Sequence, residues 1–502
     1  MIRKIQQTGP LPAALYRAEQ VRELDRIAIE DHDIPGHTLM ERAGEAGYEL
    51  MEKTWPGLKK IAVVCGIGNN GGDGYVLARL AREAGLTCRL YQLGDASRIA
   101  GDALSCVEAY RACGGEVEPF GPIPDSVQLI VDGVFGTGLE RAVEGEWKDA
   151  VEAMNTHPAP LLALDIPSGL HSDSGEILGI AADAAATISF IGLKQGLFTG
   201  RGPDCCGSIA FHDLGVPAEI YQGVRPAARR INWAQQRRQL KPRQRSSHKG
   251  DFGHLLVIGG DHGYAGAVRM AAEAAARVGA GLVSVATREA HSAVIAAARP
   301  ELMCRGVESP EQLAPLLERA SVVAIGPGLG QGHWGQSLLG SVLERKLPMV
   351  LDADALNLLA ADPAVRDNWV LTPHPGEAGR LLGISTAEVQ SDRFATVSRL
   401  QEKYAGCVLL KGAGTLIHSA TEQPRVCTNG NPGMATGGSG DVLTGIIGGL
   451  IAQGFDPADA AAAGACLHGA AGDRVALVGE RGMLATDLIP QLRKLVNPEV
   501  DR

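Results

Sequence analysis

The strongest constraint on this chain is a recurring unit: four uninterrupted aliphatic residues, closed by glycine or aspartate, then an alanine-rich stretch with helical spacing. It stands at Ile61-Ala62-Val63-Val64, Leu161-Leu162-Ala163-Leu164, Leu255-Leu256-Val257-Ile258 and Val322-Val323-Ala324-Ile325. A strand that is apolar at every position is buried on both faces, and a helix between strands carries the chain back for parallel pairing. The pattern predicts an α/β chain. At 502 residues it exceeds one simple core, since a domain takes about 100–200 residues. The unit also recurs on both sides of a segment from Arg225 to Lys249 with nine Lys or Arg and no acid. Two tandem α/β domains are therefore expected, residues 1–222 and 250–502, joined by a solvated basic linker over 223–249. A single aromatic, Trp233, stands among its charges, too few for the interleaved stacking platform of a nucleic-acid arm.

Glycine, at 65 residues, is used roughly twice as often as the average of about 7%, whereas aromatics make up 4%. That balance favours phosphate loops built from backbone amides over stacking platforms for bases. The formal charge of -10 offers no general attraction to polyanions, so anionic ligands are bound locally. Ten cysteines include the pair Cys205-Cys206 but no C-x-x-C spacing, which points to neither a zinc ribbon nor a disulfide framework. A cytoplasmic setting is expected. The N-terminal MIRKIQQTGP lacks an apolar signal core, and the longest charge-free apolar stretch, Val442 to Phe455, is well short of the ~20 residues that span a bilayer. No membrane partner is expected.

In the first half, GNNGGDG (residues 68–74) follows the strand at Ile61 to Cys65 and leads into a helical pattern beginning near Tyr75. Small residues at such a junction let amides approach an anion, and the helix dipole favours phosphate; a bare turn is the structural alternative. Two further strand ends carry acids: Asp132 before GVFGTG, and Asp165 opening DIPSGL. Ligands in open α/β sheets sit outside the carboxyl ends of the strands. Asn70, Asp132 and Ser168 can converge there on a hard cation, with Asp165 facing substrate, although a lone strand-end Asp is often only a helix cap.

In the second half, NPGMATGGSGD (431–441) opens into the apolar helix from Val442. Its amides form an anion hole, and Asp441 sits where a bound phosphate would meet an acceptor hydroxyl, as a general base for phosphoryl transfer. KGAGT (411–415) supplies a cation and a turn after Cys407 to Leu410, while His374 and Glu377 in TPHPGEA suit a phosphate or a hydrated magnesium. GPGLG (326–330) lets backbone pass close to a planar ligand. For single glycine clusters a turn is the alternative, and for His374 a satisfied imidazole.

GNNGGDGYVLARL, DGVFGTGL and DIPSGL resemble the NAD(P)H-hydrate epimerase module. SHKGDFGHLLVIGGDHGYAGA, ARPELM, GPGLG, DADALN, TPHPGEA, KGAGT and GGSGD resemble the ADP-dependent NAD(P)H-hydrate dehydratases of the ribokinase-like superfamily. The resemblance runs from about Tyr16 to Pro498 and implies an N-terminal Rossmann-like parallel sheet and a C-terminal ribokinase-like domain. It implies that Asn69, Asn70, Gly71, Gly72 and Asp73, the loop Gly136, Thr137, Gly138, Leu139, Glu140, Arg141 and Ala142, and Asp165 hold the hydrated dinucleotide. Potassium is then bound by Asn70, Asp132 and Ser168. In the second module it implies substrate contacts from Ala267, Gly328, His374 and Asp441, and nucleotide contacts from Lys411, Gly412, Ala413, Gly414, Thr415 and Gly440.

The implied function is nicotinamide-nucleotide repair, in which the R and S hydrates of NADH and NADPH (NADHX and NADPHX) are interconverted and the S form is dehydrated. ADP, with ATP as the other candidate donor, and Mg2+ supply the phosphoryl chemistry. Catalytic roles fall to Asp441 and Asp165. The partners are small molecules, with no nucleic acid, and a homo-oligomer is expected. Two rival readings remain: a ribokinase-like small-molecule kinase, which would accumulate a phosphorylated product, and an N-terminal module that only senses dinucleotides.

Overall fold

The computed structural model describes residues 11–497, so the N-terminal MIRKIQQTGP and the segment from Pro498 lie outside the described residues. The chain divides into two compact units, Met1–Arg229 and Arg230–Arg502.

In the first unit, seven parallel strands stand in the order Val117–Pro119, Thr87–Gln92, Lys60–Cys65, Leu129–Gly133, Leu161–Leu164, Ala186–Phe190 and Ser208–His212. The chain starts this sheet in its interior at Lys60–Cys65, builds outward through Thr87–Gln92, and then returns to the other side with Leu129–Gly133. That reversal leaves a crevice at the carboxyl ends of the two central strands. Alternate residues feed two apolar layers, Ile61, Val63 and Cys65 into one and Ala62 and Val64 into the other. The side-chain period of two in a strand requires this when both faces are covered.

In the second unit, nine of the described strands run in the order Met303–Gly306, Leu282–Thr287, His254–Ile258, Val322–Ile325, Met349–Leu351, Trp369–Leu371, Cys407–Leu410, Thr415–Ser419 and Arg425–Cys427. They are parallel up to Cys407–Leu410 and antiparallel in the last two pairings. Here too the first strand, His254–Ile258, has neighbours on both sides. The α/β expectation holds in both units.

Two details differ from the sequence reading. The basic segment is not solvated throughout: Ala228–Ile231 is a strand, Trp233–Gln236 is a helix, and Ile231 and Trp233 belong to the second unit's core. The mainly exposed stretch runs from Arg237 to Gly250. The apolar anchors Ile231 and Trp233 outweigh the flanking charge: Arg229 and Arg237 stay exposed while Arg230 is buried beside them. The helix after GNNGGDG also begins earlier than expected, as Asn69–Glu83. Its glycines therefore serve close approach: a Cβ on Gly71 would lie 2.1 Å from the Gly66 carbonyl, and one on Gly74 would lie 2.7 Å from Cys65 Sγ.

Candidate functional site

A cavity of about 500 Å³ occupies the crevice of the first unit. Beneath it, three strand ends meet. Asp132, next to last in Leu129–Gly133, accepts hydrogen bonds from Ser168 Oγ at 2.6 Å, Ser168 N at 2.8 Å and Val134 N at 3.1 Å. Asn70 Nδ2 donates to the Phe135 carbonyl at 2.9 Å, and Phe135 N donates to Ser168 Oγ at 2.8 Å. Asn70, Asp132 and Ser168 thus form one buried cluster, as the sequence predicts. Burial raises the Asp132 carboxyl above its usual range, although its hydrogen bonds from Ser168 and Val134 oppose this. Asn70 Oδ1 is buried without a hydrogen-bond partner. An orphaned amide oxygen beside a carboxylate, a hydroxyl and a carbonyl is a donor set suited to a large hard cation.

Asp165 lies on the cavity wall with φ +64°. A non-glycine residue in this left-handed region stores about 1–3 kcal/mol of strain. Its carboxylate is paired with Lys194, which is almost fully buried and also donates to Ser189 Oγ and the Phe190 carbonyl, both at 3.1 Å. Gly136 is small because a Cβ there would stand 3.3 Å from Asp165 Oδ2. Asn69, Asn70, Asp73, Gly136, Thr137, Gly138, Leu139 and Asp165 line the cavity. Gly71 and Gly72 instead pack inward, a Cβ on Gly72 meeting Met40 Sδ at 2.3 Å. Glu140, Arg141 and Ala142 are exposed beyond the cavity lining. The loop ends point to solvent, so the cavity gathers only the first half of the expected 136–142 segment.

In the second unit, Asp441 sits in the first turn of the helix Ser439–Ala452. Its carboxyl is pushed up to about 7, by burial first and by Asp352 second, with Lys411 opposing. Lys411 Nζ donates to Asp352 Oδ1 at 2.7 Å and lies 3.7 Å from Glu377 Oε2. Asp352 Oδ2 accepts from Thr444 Oγ1 at 2.7 Å. Gly440 runs against both groups: a Cβ there would stand 3.3 Å from Lys411 Nζ and 3.6 Å from Asp352 Oδ2. GGSGD and KGAGT therefore meet at one point around a cation and several carboxylates. Gly412, at φ +137°, packs on the buried Arg393, whose guanidinium donates to the carbonyls of Leu410 at 3.3 Å and Lys411 at 3.2 Å. Thr415 Oγ1 closes the turn on the Gly412 carbonyl at 3.0 Å.

His374 caps the helix Pro375–Leu382, its Nδ1 accepting from Gly376 N at 3.0 Å and Glu377 N at 3.4 Å, while its Nε2 lies 3.3 Å from Glu377 Oε1. The imidazole is half-exposed, and burial with the nearby Lys411 and Arg380 lowers its proton affinity. Gly328, at φ +58°, lies against Tyr264 and Ala267, a Cβ there standing 3.4 Å from the Ala267 Cβ. The two expected substrate-contact residues Ala267 and Gly328 are thus adjacent.

A model for NAD(P)H-hydrate dehydratase matches residues 255–494 and a model for the YjeF-related protein N-terminus matches residues 36–196. The chain is 51% identical to the bifunctional NAD(P)H-hydrate repair enzyme Nnr of Coxiella burnetii, covering 96% of this chain and 99% of that one. The chain belongs to the bifunctional NAD(P)H-hydrate repair enzyme family. Its likeness to the Escherichia coli enzyme of the same name is 46% over 98% of this chain and 95% of that one. Among solved structures, a ribokinase-like superfamily protein from Enterococcus faecalis matches with a TM-score of 0.50 and 32% identity, over 54% of this chain and 95% of that chain.

Within this repair-enzyme chain, tertiary contacts add residues that sequence reasoning passed over. Lys194 is the one charged residue between Asp183 and Arg201, a signal that was legible. Asp352 stands in DADALN at a strand end, ahead of Ala353 at φ +49°. His468, partly buried and pushed down to about 4 by desolvation, meets Ser439 Oγ of the GGSGD loop at 3.2 Å; an alanine-rich helix gives no hint of that. All ten cysteines are free, and no helix of the described residues is long and apolar enough to cross a membrane.

Proposed function

We propose that the N-terminal unit interconverts the R and S hydrates of NADH and NADPH, and that the C-terminal unit dehydrates the S form with ADP to give NAD(P)H, AMP and phosphate. The observation that carries this reading is Asp441, a mostly buried carboxyl in the first turn of a helix beside Lys411, with its proton affinity raised to about 7. A carboxylate of that strength is a competent base near neutral pH. The hydroxyl on carbon six of the hydrated ring is a poor leaving group. Asp441 takes its proton as the oxygen attacks the β-phosphorus of ADP and the bond to AMP breaks. Lys411 and the amides at the helix N-terminus offset the charge on the transferring group. The ring-nitrogen lone pair then expels phosphate from carbon six, and loss of a proton from carbon five restores the dihydropyridine.

In this reading Ala267, Gly328 and His374 position the hydrate, and Lys411, Gly412, Ala413, Gly414, Thr415 and Gly440 position ADP. Magnesium, a hard cation suited to the Glu377 carboxylate through water, screens diphosphate charge when bound. In the N-terminal unit, Asn69, Asp73 and the loop from Gly136 hold the dinucleotide over Asp165, while Asn70, Asp132 and Ser168 hold potassium, whose charge steadies that wall. Only one epimer presents its hydroxyl to Asp441, which gives a physical reason to join the two activities. A cytoplasmic homo-oligomer acting on small molecules, without nucleic-acid or membrane partners, completes the proposal.

The direct test is chromatography of a resolved R hydrate and of an epimer mixture with the full chain, with and without ADP. The expected result is epimer exchange without ADP, and recovery of reduced nicotinamide absorbance with AMP and free phosphate when ADP is added. A lasting phosphorylated product would instead mark a kinase, and an unchanged epimer ratio would mark a sensor. For the cation, Asp132→Asn removes the one formal charge of the cluster. It is expected to raise the potassium concentration needed for half-maximal epimerisation by about tenfold, the equivalent of ~1.4 kcal/mol; potassium dependence that does not move would sink the assignment.

A further inference from the structure

The cavity of the N-terminal unit contains a second carboxyl to which the function above gives no role. Asp25 comes from the helix Ala18–Glu30, ahead of the family-matched span that begins at residue 36, and its side chain lines the same cavity as Asp165 and Lys194. Inversion at carbon six of a carbinolamine needs two proton-transfer groups. The hydroxyl gives up its proton, a C6=O bond forms, the C6–N1 bond breaks, and N1 receives a proton. Rotation about C5–C6 and the same steps in reverse then close the ring on the other face, with no net change in protons or electrons.

We propose that Asp25 is a catalytic residue of the epimerase, the acid that protonates the ring nitrogen while the Lys194-held Asp165 takes the hydroxyl proton. The proposal rests on the epimerase reading of this cavity. The two carboxyls stand in unlike surroundings, which is what separates an acid from a base. Asp165 is ion-paired with the buried ammonium of Lys194. Asp25 forms no ion pair among the described residues; burial pushes it up to about 6, with Asp165 adding to the shift and Lys194 opposing it. The other titratable and charged groups around it are Asp73 and Tyr221, each coupled to it electrostatically, and Arg22 and Asp102 on the cavity wall. Asp73 is itself held well above the carboxylate range, first by burial and then by Asp165 and Asp25, so the wall carries less negative charge than its acids would imply.

The test uses the full chain without ADP, a resolved R hydrate, and epimer ratios read by chromatography from pH 5 to pH 9 after subtraction of the spontaneous rate. Because the acid must be protonated, wild-type kcat is expected to fall as pH rises above about 6. Asp25→Asn is expected to lower kcat by about 10²–10⁴-fold, with KM little changed, and to abolish that limb. Asp25→Glu is expected to restore part of the rate with the limb displaced. An Asp25→Asn protein within about twofold of wild type, or residual activity that keeps the wild-type limb, overturns the proposal. If Asp25→Asn loses its cooperative melt, Asp25→Glu decides: a displaced limb supports Asp25 and an unmoved limb overturns it. Asp165→Asn separates the two readings. Activity lost there but kept in Asp25→Asn removes only Asp25, whereas activity kept in both removes the cavity as the epimerase site.

Discussion

Replacing Asp441 by Asn is expected to lower ADP-dependent dehydration by about 10²–10⁴-fold, the usual cost of losing a positioned general base, while epimer exchange stays near the parent rate. The substitution preserves size and leaves the first turn of Ser439–Ala452 with its amides, so ADP binding is expected to persist. The wild-type pH profile provides a second signature. The base must be ionised, and its carboxyl is raised to about 7, so kcat for dehydration is expected to rise about tenfold per pH unit below 7 and to level above it. The same shift has a stability consequence of definite sign. An acid whose folded value lies above its unfolded value penalises the fold once the unfolded chain has ionised, that is, as pH rises from about 4 to about 7. Asp441→Asn is therefore expected to melt higher than wild type at pH 8 and at the same temperature near pH 4. Dehydration at close to the parent rate would make Asp441 a helix-terminal cap with no chemical role.

The second large effect is expected at Lys194. Its ammonium is almost fully buried and is the cation paired with Asp165; Asp25 and Asp73 also feel it. Lys194→Met keeps the stem and removes the charge, leaving carboxyl groups facing one another. Breaking one side of a buried ion pair typically costs about 3–5 kcal/mol, and ~1 kcal/mol shifts the melting temperature of a unit of this size by about 2–4 °C. Calorimetry should show the N-terminal transition about 10 °C lower, with the C-terminal transition and the dehydratase activity unmoved. The loss should be smaller at pH 5 than at pH 8, since protonation relieves stranded carboxylates. Epimerisation should fall with it, because Asp165 loses the partner that orients it. An unchanged N-terminal melt would mean that Lys194 is replaceable by water.

Much of this was legible in the sequence because the relevant signals are short-range. Glycine and aspartate at the ends of aliphatic runs marked Asn70, Asp132 and Asp165, and the structure brings Asn70, Asp132 and Ser168 into one cluster through the Phe135 peptide. GGSGD and KGAGT were read as two loops of one site, and a Cβ on Gly440 would stand 3.3 Å from Lys411 Nζ. In the basic segment charge density hides the signal of Ile231 and Trp233, two apolar residues that the core of the second unit takes up.

By itself, then, the sequence determined the α/β class, the two-part organisation, the family, and the strand ends at which the candidate site residues gather. Each of these follows from periodicity, glycine position and motifs that lie within a few neighbouring residues. Only the tertiary structure decided which charges meet. Lys194 reaches Asp165 across 29 residues and Lys411 reaches Asp352 across 59, while Asp25 arrives from a helix ahead of the whole sheet. Whether a carboxyl is an acid, a base or an ion-pair partner depends on desolvation and on the sign of its nearest charge. Both are properties of the packed site, and no local stretch of sequence carries them.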